Sequence, residues 1–250
     1  MKQFGYCKVS ISPIRKEAAD PSEMVSQLLF GEIFAIEQVQ DNWTLITTQL
    51  DYYQGWIDSK HIRNISEEDK DCWLSENTVA TAICSFIRTP WGKQQVPAGA
   101  FIHSNNTSFS IGTDLFELMT PQTETYNTPA DFAAELLNTP YLWGGKHSFG
   151  IDCSGLTQLV YRKFNKEIPR DAYQQEREGI DISYENKQTG DLAFFKNSSG
   201  KIHHVGILCE NNKIIHASGC VRVDELTDEG IYHNEKQIIT HHLHCIKRYL

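Results

Sequence analysis

Long apolar runs are missing from this sequence, and so are C-x-x-C pairs, exact internal repeats and low-complexity tracts. The first absence excludes a membrane-spanning helix, which needs about 20 consecutive apolar residues. The second, with an odd count of seven cysteines, argues against a disulfide framework and a zinc ribbon. Reduced thiols in a reducing compartment are the simpler expectation. Excess positive charge is lacking too: the formal net charge is −9, which speaks against general affinity for nucleic acid or anionic lipid. The opening stretch MKQFGYCKVSISPIRKEAADPSE has no apolar core or small-residue cleavage site, so a cytoplasmic protein without membrane insertion is expected.

What remains is an ordinary mixture, 40% hydrophobic and 22% charged over 250 residues, enough for one large domain or two to three small ones. Residues 1–65 alternate in short runs broken by turn signals, as in GEIFAIEQV, NWTLITTQL and YYQGWIDSKHI, and predict a small all-β barrel. Within them PSEMVSQLLFGE sets Met24, Val25, Leu28 and Leu29 at helical spacing and predicts a short helix ending at Gly31. SEEDKDCW reads as a charged, solvated connector. Residues 66–125 hold this connector, a second small β unit punctuated by Pro90, Gly92, Pro97 and Gly99, and a polar linker. From 126 to 250 the texture changes to helices first and strands afterwards, which predicts an α+β domain.

The chemistry concentrates in that last region. In GIDCSGLTQLVYRKF, Asp152 stands at an N-cap position, and Leu156, Leu159, Val160 and Phe164 follow at one-sided helical spacing. Cys153 is thereby placed in the first turn, facing unpaired N–H groups and the positive end of the helix dipole, a setting expected to favour the thiolate. Downstream, His204 and His216 fall in two strand-like runs separated by ENNK. A two-residue loop would put these histidines on opposite faces of a hairpin. A three-residue loop, Glu210 to Asn212, pairs His216 with Gly206 and puts both on one face, about 7 Å apart. In that register His204 could trade a proton with Cys153 while His216 orients the ring.

Together, YLWGGKHSFGIDCSGL, GDLAFF, HHVGI and IIHASG resemble the NlpC/P60 family of papain-like cysteine peptidases, and the N-terminal half resembles bacterial SH3-type domains. SEMVSQLLFGE followed by YQGWI is similar to the YkfC-like γ-D-glutamyl-L-diamino acid endopeptidases. The resemblance implies a papain-like domain over 126–250, with Cys153 as nucleophile, His204 as base and His216 as the orienting member. It implies Tyr141 at the oxyanion and Trp143 lining the groove. Asp152 and Ser154 would read the alanyl end and the D-glutamyl carboxylate of the substrate, and His203 would stand beside the cleft. Glu23 and Tyr53 are the best matches for a carboxylate and a tyrosine lent by the SH3-type domain, with Glu32 and Tyr52 as rivals.

The implied partner is a peptidoglycan stem peptide, L-Ala-γ-D-Glu-diamino acid with a free N-terminal L-Ala. The diamino acid is taken as meso-diaminopimelate, with lysine left open. One departure is PRDA, Pro169 to Ala172, where the family carries PRDS; either Asp171 or Arg170 compensates for the missing hydroxyl, or this subsite is weaker. No cofactor or metal is expected. HHLHC, His241 to Cys245, is set aside as a metal site because adjacent strand residues point to opposite faces. A wall-peptide binding protein and an acyltransferase or amidase using the same thiol stand as alternatives.

Overall fold

In the computed structural model, which describes residues 2–104, 106–234 and 236–250, contacts divide the chain into two units, Met1–Thr125 and Tyr126–Leu250. The first unit opens with seven strands: β1 (Gln3–Cys7), β2 (Ile11–Arg15), β3 (Met24–Leu29), β4 (Ile33–Gln40), β5 (Trp43–Thr48), β6 (Gln54–Asp58) and β7 (Ile62–Ile65). They form one antiparallel sheet in the order β3-β2-β6-β5-β4-β1-β7. Six more strands follow: β8 (Thr78–Val79), β9 (Cys84–Thr89), β10 (Gly92–Pro97), β11 (Phe101–Ile102), β12 (Ser108–Ile111) and β13 (Asp114–Leu118).

Two expectations for this unit are corrected. The run MVSQLL is a strand, not a helix, and pairs with β2 from Ile11↔Leu29 to Arg15↔Met24. Its apolar residues mimic helical spacing because the strand is covered on both faces: Leu28 packs with Ile14 and Phe34, and Leu29 with Tyr6 and Phe30. The charged connector is in fact α1 (Glu67–Glu76). Ser66 caps it by accepting the Asp69 N–H at 3.0 Å, and three acidic residues sit in its first turn, where the dipole favours them. Its single buried residue, Trp73, donates to the Gly31 carbonyl at 2.9 Å and stacks on Phe109. Residues from both sides of this helix, among them Tyr6, Phe30, Phe101, Phe109 and Phe116, make one apolar cluster.

The second unit begins with α2 (Pro129–Glu135), capped by Thr128 in a reciprocal box with Asp131. A short hairpin of β14 (Lys146–His147) and β15 (Gly150–Ile151) leads into α3 (Cys153–Lys163), and α4 (Ala172–Gln175) follows. Then come β16 (Ile180–Ile182), β17 (Leu192–Lys196), β18 (Ile202–Cys209), β19 (Lys213–Ser218), β20 (Cys220–Leu226), β21 (Gly230–His233) and β22 (Ile238–Arg248). These seven make an antiparallel sheet ordered β16-β22-β17-β18-β19-β20-β21. The helix α3 buries Leu156, Leu159 and Val160 and packs against β18, so its N-terminus meets the histidine-bearing strands.

Candidate active site

The first turn of α3 is fixed by its own N-cap. Asp152 Oδ1 accepts the Gly155 N–H at 2.7 Å, and Oδ2 accepts the Gly144 N–H at 2.8 Å. Gly155 is required there: a Cβ would lie 2.1 Å from the Gly145 carbonyl oxygen, a backbone atom that cannot give way. The glycine-rich loop thus lies directly on the helix start and holds Cys153 at its first position.

Cys153 is buried, with Sγ 4.0 Å from the His203 carbonyl, and the N–H groups of Val205 and Ser154 favour its anionic form. Burial outweighs them and, with the nearby Asp152 charge, pushes the thiol up to about 12. The expectation of a resting thiolate is therefore corrected: the helix terminus is present, but desolvation dominates. The thiol carries its proton until a base removes it.

The base candidates are arranged by register. The hairpin pairs Gly206 with His216 and Cys209 with Lys213, leaving a three-residue loop at Glu210–Asn212 with Asn211 and Asn212 in the left-handed region. Both histidines fall on one face, and His204 Nε2 lies 2.8 Å from His216 Nδ1. Gly206 allows this approach, since a Cβ there would sit 2.7 Å from Ile214 and 2.9 Å from His216. Burial, with His216, His241 and His203 around it, holds His204 neutral well below the ordinary histidine range. Cys153 Sγ thus meets the β18 backbone on both sides of His204, at the His203 carbonyl and the Val205 N–H.

Further residues gather around this pair. Arg170, 1% exposed, donates to Asp152 Oδ1 at 3.1 Å, to Oδ2 at 2.6 Å, and to Ser154 Oγ at 2.9 Å. Thr157 and Gln175 tie the Pro169–Gln175 segment to α3: Thr157 Oγ1 donates to Gln175 Oε1 at 2.8 Å, and Gln175 Nε2 donates to the Ser154 carbonyl at 3.1 Å. Tyr141 pairs in parallel with Ile151, and burial followed by the Cys153 and Asp152 charges raises its hydroxyl pKa. Trp143 and His203 are exposed, Asp171 is half-buried at the start of α4, and Ala172 is buried.

Residues 138–242 match the NlpC/P60 family, and residues 14–62 match the bacterial dipeptidyl-peptidase Sh3 domain. Over 142 residues the chain is 34% identical to the murein DD-endopeptidase MepS/murein LD-carboxypeptidase of Escherichia coli, an overlap that spans 56% of this chain and 73% of that protein. The chain belongs to the NlpC/P60 family. It is also 27% identical over 235 residues to the γ-D-glutamyl-L-lysine dipeptidyl-peptidase of Bacillus subtilis, spanning 84% of this chain and 78% of that one. A crystal structure of an NlpC/P60 family protein from Bacillus cereus shares the fold, with a TM-score of 0.80 at 19% identity over 99% of each chain.

In the N-terminal part, Glu23 is exposed just before β3 with its carboxylate 3.9 Å from Lys16 Nζ, and Tyr53 is half-buried before β6. The rival Glu32 is buried, while Tyr52 is exposed. Among the described residues no helix is long and apolar enough to cross a membrane.

The ground for dismissing HHLHC does not hold in this NlpC/P60 domain. β22 bulges against β17, so that Phe194 pairs with Cys245 and Phe195 with Leu243, leaving His244 as the extra residue. His244 and Cys245 then both approach Glu176, with donor atoms of all three within 4.8 Å of one another. His241 does something else: its ring stacks on His204 with centroids 4.2 Å apart.

The sequence reading missed Asp224, which lies 2.9 Å from His216 Nε2 and accepts from Arg222 at 2.9 Å. The signal that could have found it is Ser218-Gly219-Cys220. Gly219 has φ +75°, and the tight turn there pairs His216 with Arg222, which leaves Asp224 diagonal to His216 on the same face.

Proposed function

We propose that the chain is a cysteine endopeptidase that hydrolyses the γ-D-glutamyl-L-diamino acid bond of peptidoglycan-derived peptides with a free N-terminal L-Ala. On this reading it acts in cytoplasmic turnover or recycling of the cell wall, through an α+β papain-like domain. The observation that carries the reading is the 2.8 Å contact between His204 and His216, beside a thiol seated at the head of α3.

The chemistry follows from these atoms. His204 Nε2 is engaged by His216, so Nδ1 is the nitrogen available to the thiol. As Sγ of Cys153 bonds to the γ-carbonyl carbon, His204 takes the thiol proton. N–H groups of the first turn of α3, with the Tyr141 hydroxyl, stabilise the oxyanion. The C–N bond then breaks, His204 protonates the departing amine of the diamino acid, and a thioester remains. Water attacks that thioester with His204 again as base, releasing L-Ala-D-Glu and restoring the thiol.

Residue roles at the binding end belong to the same proposal. Trp143 and His203 line the groove. Asp152 and Ser154 are assigned to the alanyl end and the D-glutamyl carboxylate, and Arg170 joins them, because its guanidinium bonds both side chains and suits a carboxylate. Asp171 stands in for the absent serine of PRDS. Glu23 would hold the substrate ammonium by a charge-assisted bond, and Tyr53 would support it. Residues 1–65, 66–125 and 126–250 are proposed as barrel, second β unit with linker, and catalytic domain. The seven free cysteines suit a reducing compartment.

Mass spectrometry of products from L-Ala-γ-D-Glu-meso-diaminopimelate, and from its lysine counterpart, tests the reading. Free diamino acid and L-Ala-D-Glu are expected from the native chain and neither from Cys153→Ser. Transfer of the acyl group to an added amine in place of hydrolysis, or no release of diamino acid, overturns it.

A further inference from the structure

The three strands β18, β19 and β20 carry an unbroken diagonal of buried polar side chains. His204 on β18 contacts His216 on β19 at 2.8 Å, and His216 contacts Asp224 on β20 at 2.9 Å. The three are 4%, 1% and 7% exposed. Arg222 closes the far end with an N–H to Asp224 Oδ1 at 2.9 Å, and its Nε lies 2.7 Å from Oδ2, the oxygen that faces His216.

Each link has a direction. Burial alone would raise the Asp224 pKa, but hydrogen bonds from His216 and Arg222 carry it down to about 2, so the group is an acceptor only. Its neighbour on His216 must therefore be Nε2–H. With His216 uncharged, that N–H is its only one, and Nδ1 is left as an acceptor. The contact at His216 Nδ1 then requires His204 Nε2 to be the donor. By the same count, His204 Nδ1 is left with a lone pair, the form a base needs to take the thiol proton in the proposed mechanism.

We infer that Asp224 is the positioning residue of the site: acting through His216, it sets the tautomer in which His204 can accept the Cys153 proton. The inference rests on the proposed thiol chemistry for its consequence, but the tautomers themselves can be read without substrate. Asp224 touches neither the substrate nor the reacting atoms; it selects which nitrogen of a ring two links away is bare.

Asp224→Leu tests the direction of the chain. An amide would not, because Arg222 donors face both oxygen positions. Leucine keeps about the same size and removes the acceptor from His216 Nε2. His216 then loses its preference for Nε2–H, and His204 populates its Nδ1–H form as well. Long-range ¹H–¹⁵N spectra of the full chain labelled at histidine nitrogens, assigned with single His→Gln variants, read each tautomer. The native protein and Asp224→Glu are expected to show Nε2–H on both His204 and His216. Asp224→Leu is expected to show a mixture of Nε2–H and Nδ1–H on both, with kcat reduced by roughly tenfold or more and KM little changed.

Native His204 carrying its proton on Nδ1 overturns the inference without any variant. So does an Asp224→Leu variant whose tautomers stay native. If the tautomers follow Asp224 as expected but the native chain releases no diamino acid, the inference stands and the proposed function falls.

Discussion

Arg170 grips Asp152 with two nitrogens, at 3.1 Å and 2.6 Å, in a position where neither side chain sees much water. Breaking one side of such a pair leaves a bare buried charge and costs about 3–5 kcal/mol. Arg170→Met is expected to lose that much in urea unfolding. It should also slow alkylation of Cys153 at a given pH, because Arg170 lowers the thiol pKa and Asp152 raises it. The double variant Asp152→Asn/Arg170→Met should recover most of the stability.

His241 and Asp224 are among the groups that make the protein weaker in acid, and they act over different pH windows. His241 is pushed down to about 4 by burial, with His216 and His203 adding to the shift. Its folded pKa lies below the unfolded value near 6.5, so its stabilising effect is whole above about 6.5 and is lost as pH falls towards 4. Asp224, depressed to about 2, keeps its effect above about 4 and loses it as pH falls further, on the order of 1–2 kcal/mol after solvent screening. His241→Phe should make the upper part of the stability–pH curve less steep and leave the lower part, and Asp224→Asn the reverse. Urea titrations across this range check both.

The stack of His241 on His204 predicts a ring requirement without a protonation requirement. His241→Phe should keep kcat within a few fold. His241→Ala should lose up to about tenfold, matching about 0.5–1.5 kcal/mol for an aromatic pair. Steady-state rates of diamino acid release distinguish the two.

Gly155→Ala is a steric probe of the nucleophile's seat. Its Cβ would strike the Gly145 carbonyl, so either the loop or the first turn of α3 must shift. A loss of about 1–3 kcal/mol is expected, with a larger fall in kcat than in thermal stability would suggest. Gly145 tolerates a side chain no better, since a Cβ there would lie 2.4 Å from the Gly150 carbonyl.

The sequence disclosed the site better than it disclosed the elements around it. The N-cap at Asp152 and the one-sided run after Cys153 gave the helix start because capping and periodicity agree there. The common face of His204 and His216 could be derived once a three-residue loop was assumed, since strand faces alternate without exception along a regular ladder. The helix α1 escaped notice because a single tryptophan anchors it, too few buried positions to make a period. Asp224 escaped because VRVDEL looks like any half-exposed strand, and its partner lies across a turn whose register depends on one glycine. The bulge at His244 is likewise set by the neighbouring strands and leaves no local mark.

Trp73, Phe101, Phe109 and Phe116 share their apolar cluster with Tyr6, Leu29 and Phe30 from the strands before α1. A cut anywhere along α1 would therefore strip solvent protection from aromatic rings on both fragments at once. The N-terminal 125 residues should melt in a single cooperative step, and an engineer wishing to transplant the seven-stranded sheet onto another protein would have to carry α1 and the strands that follow it along.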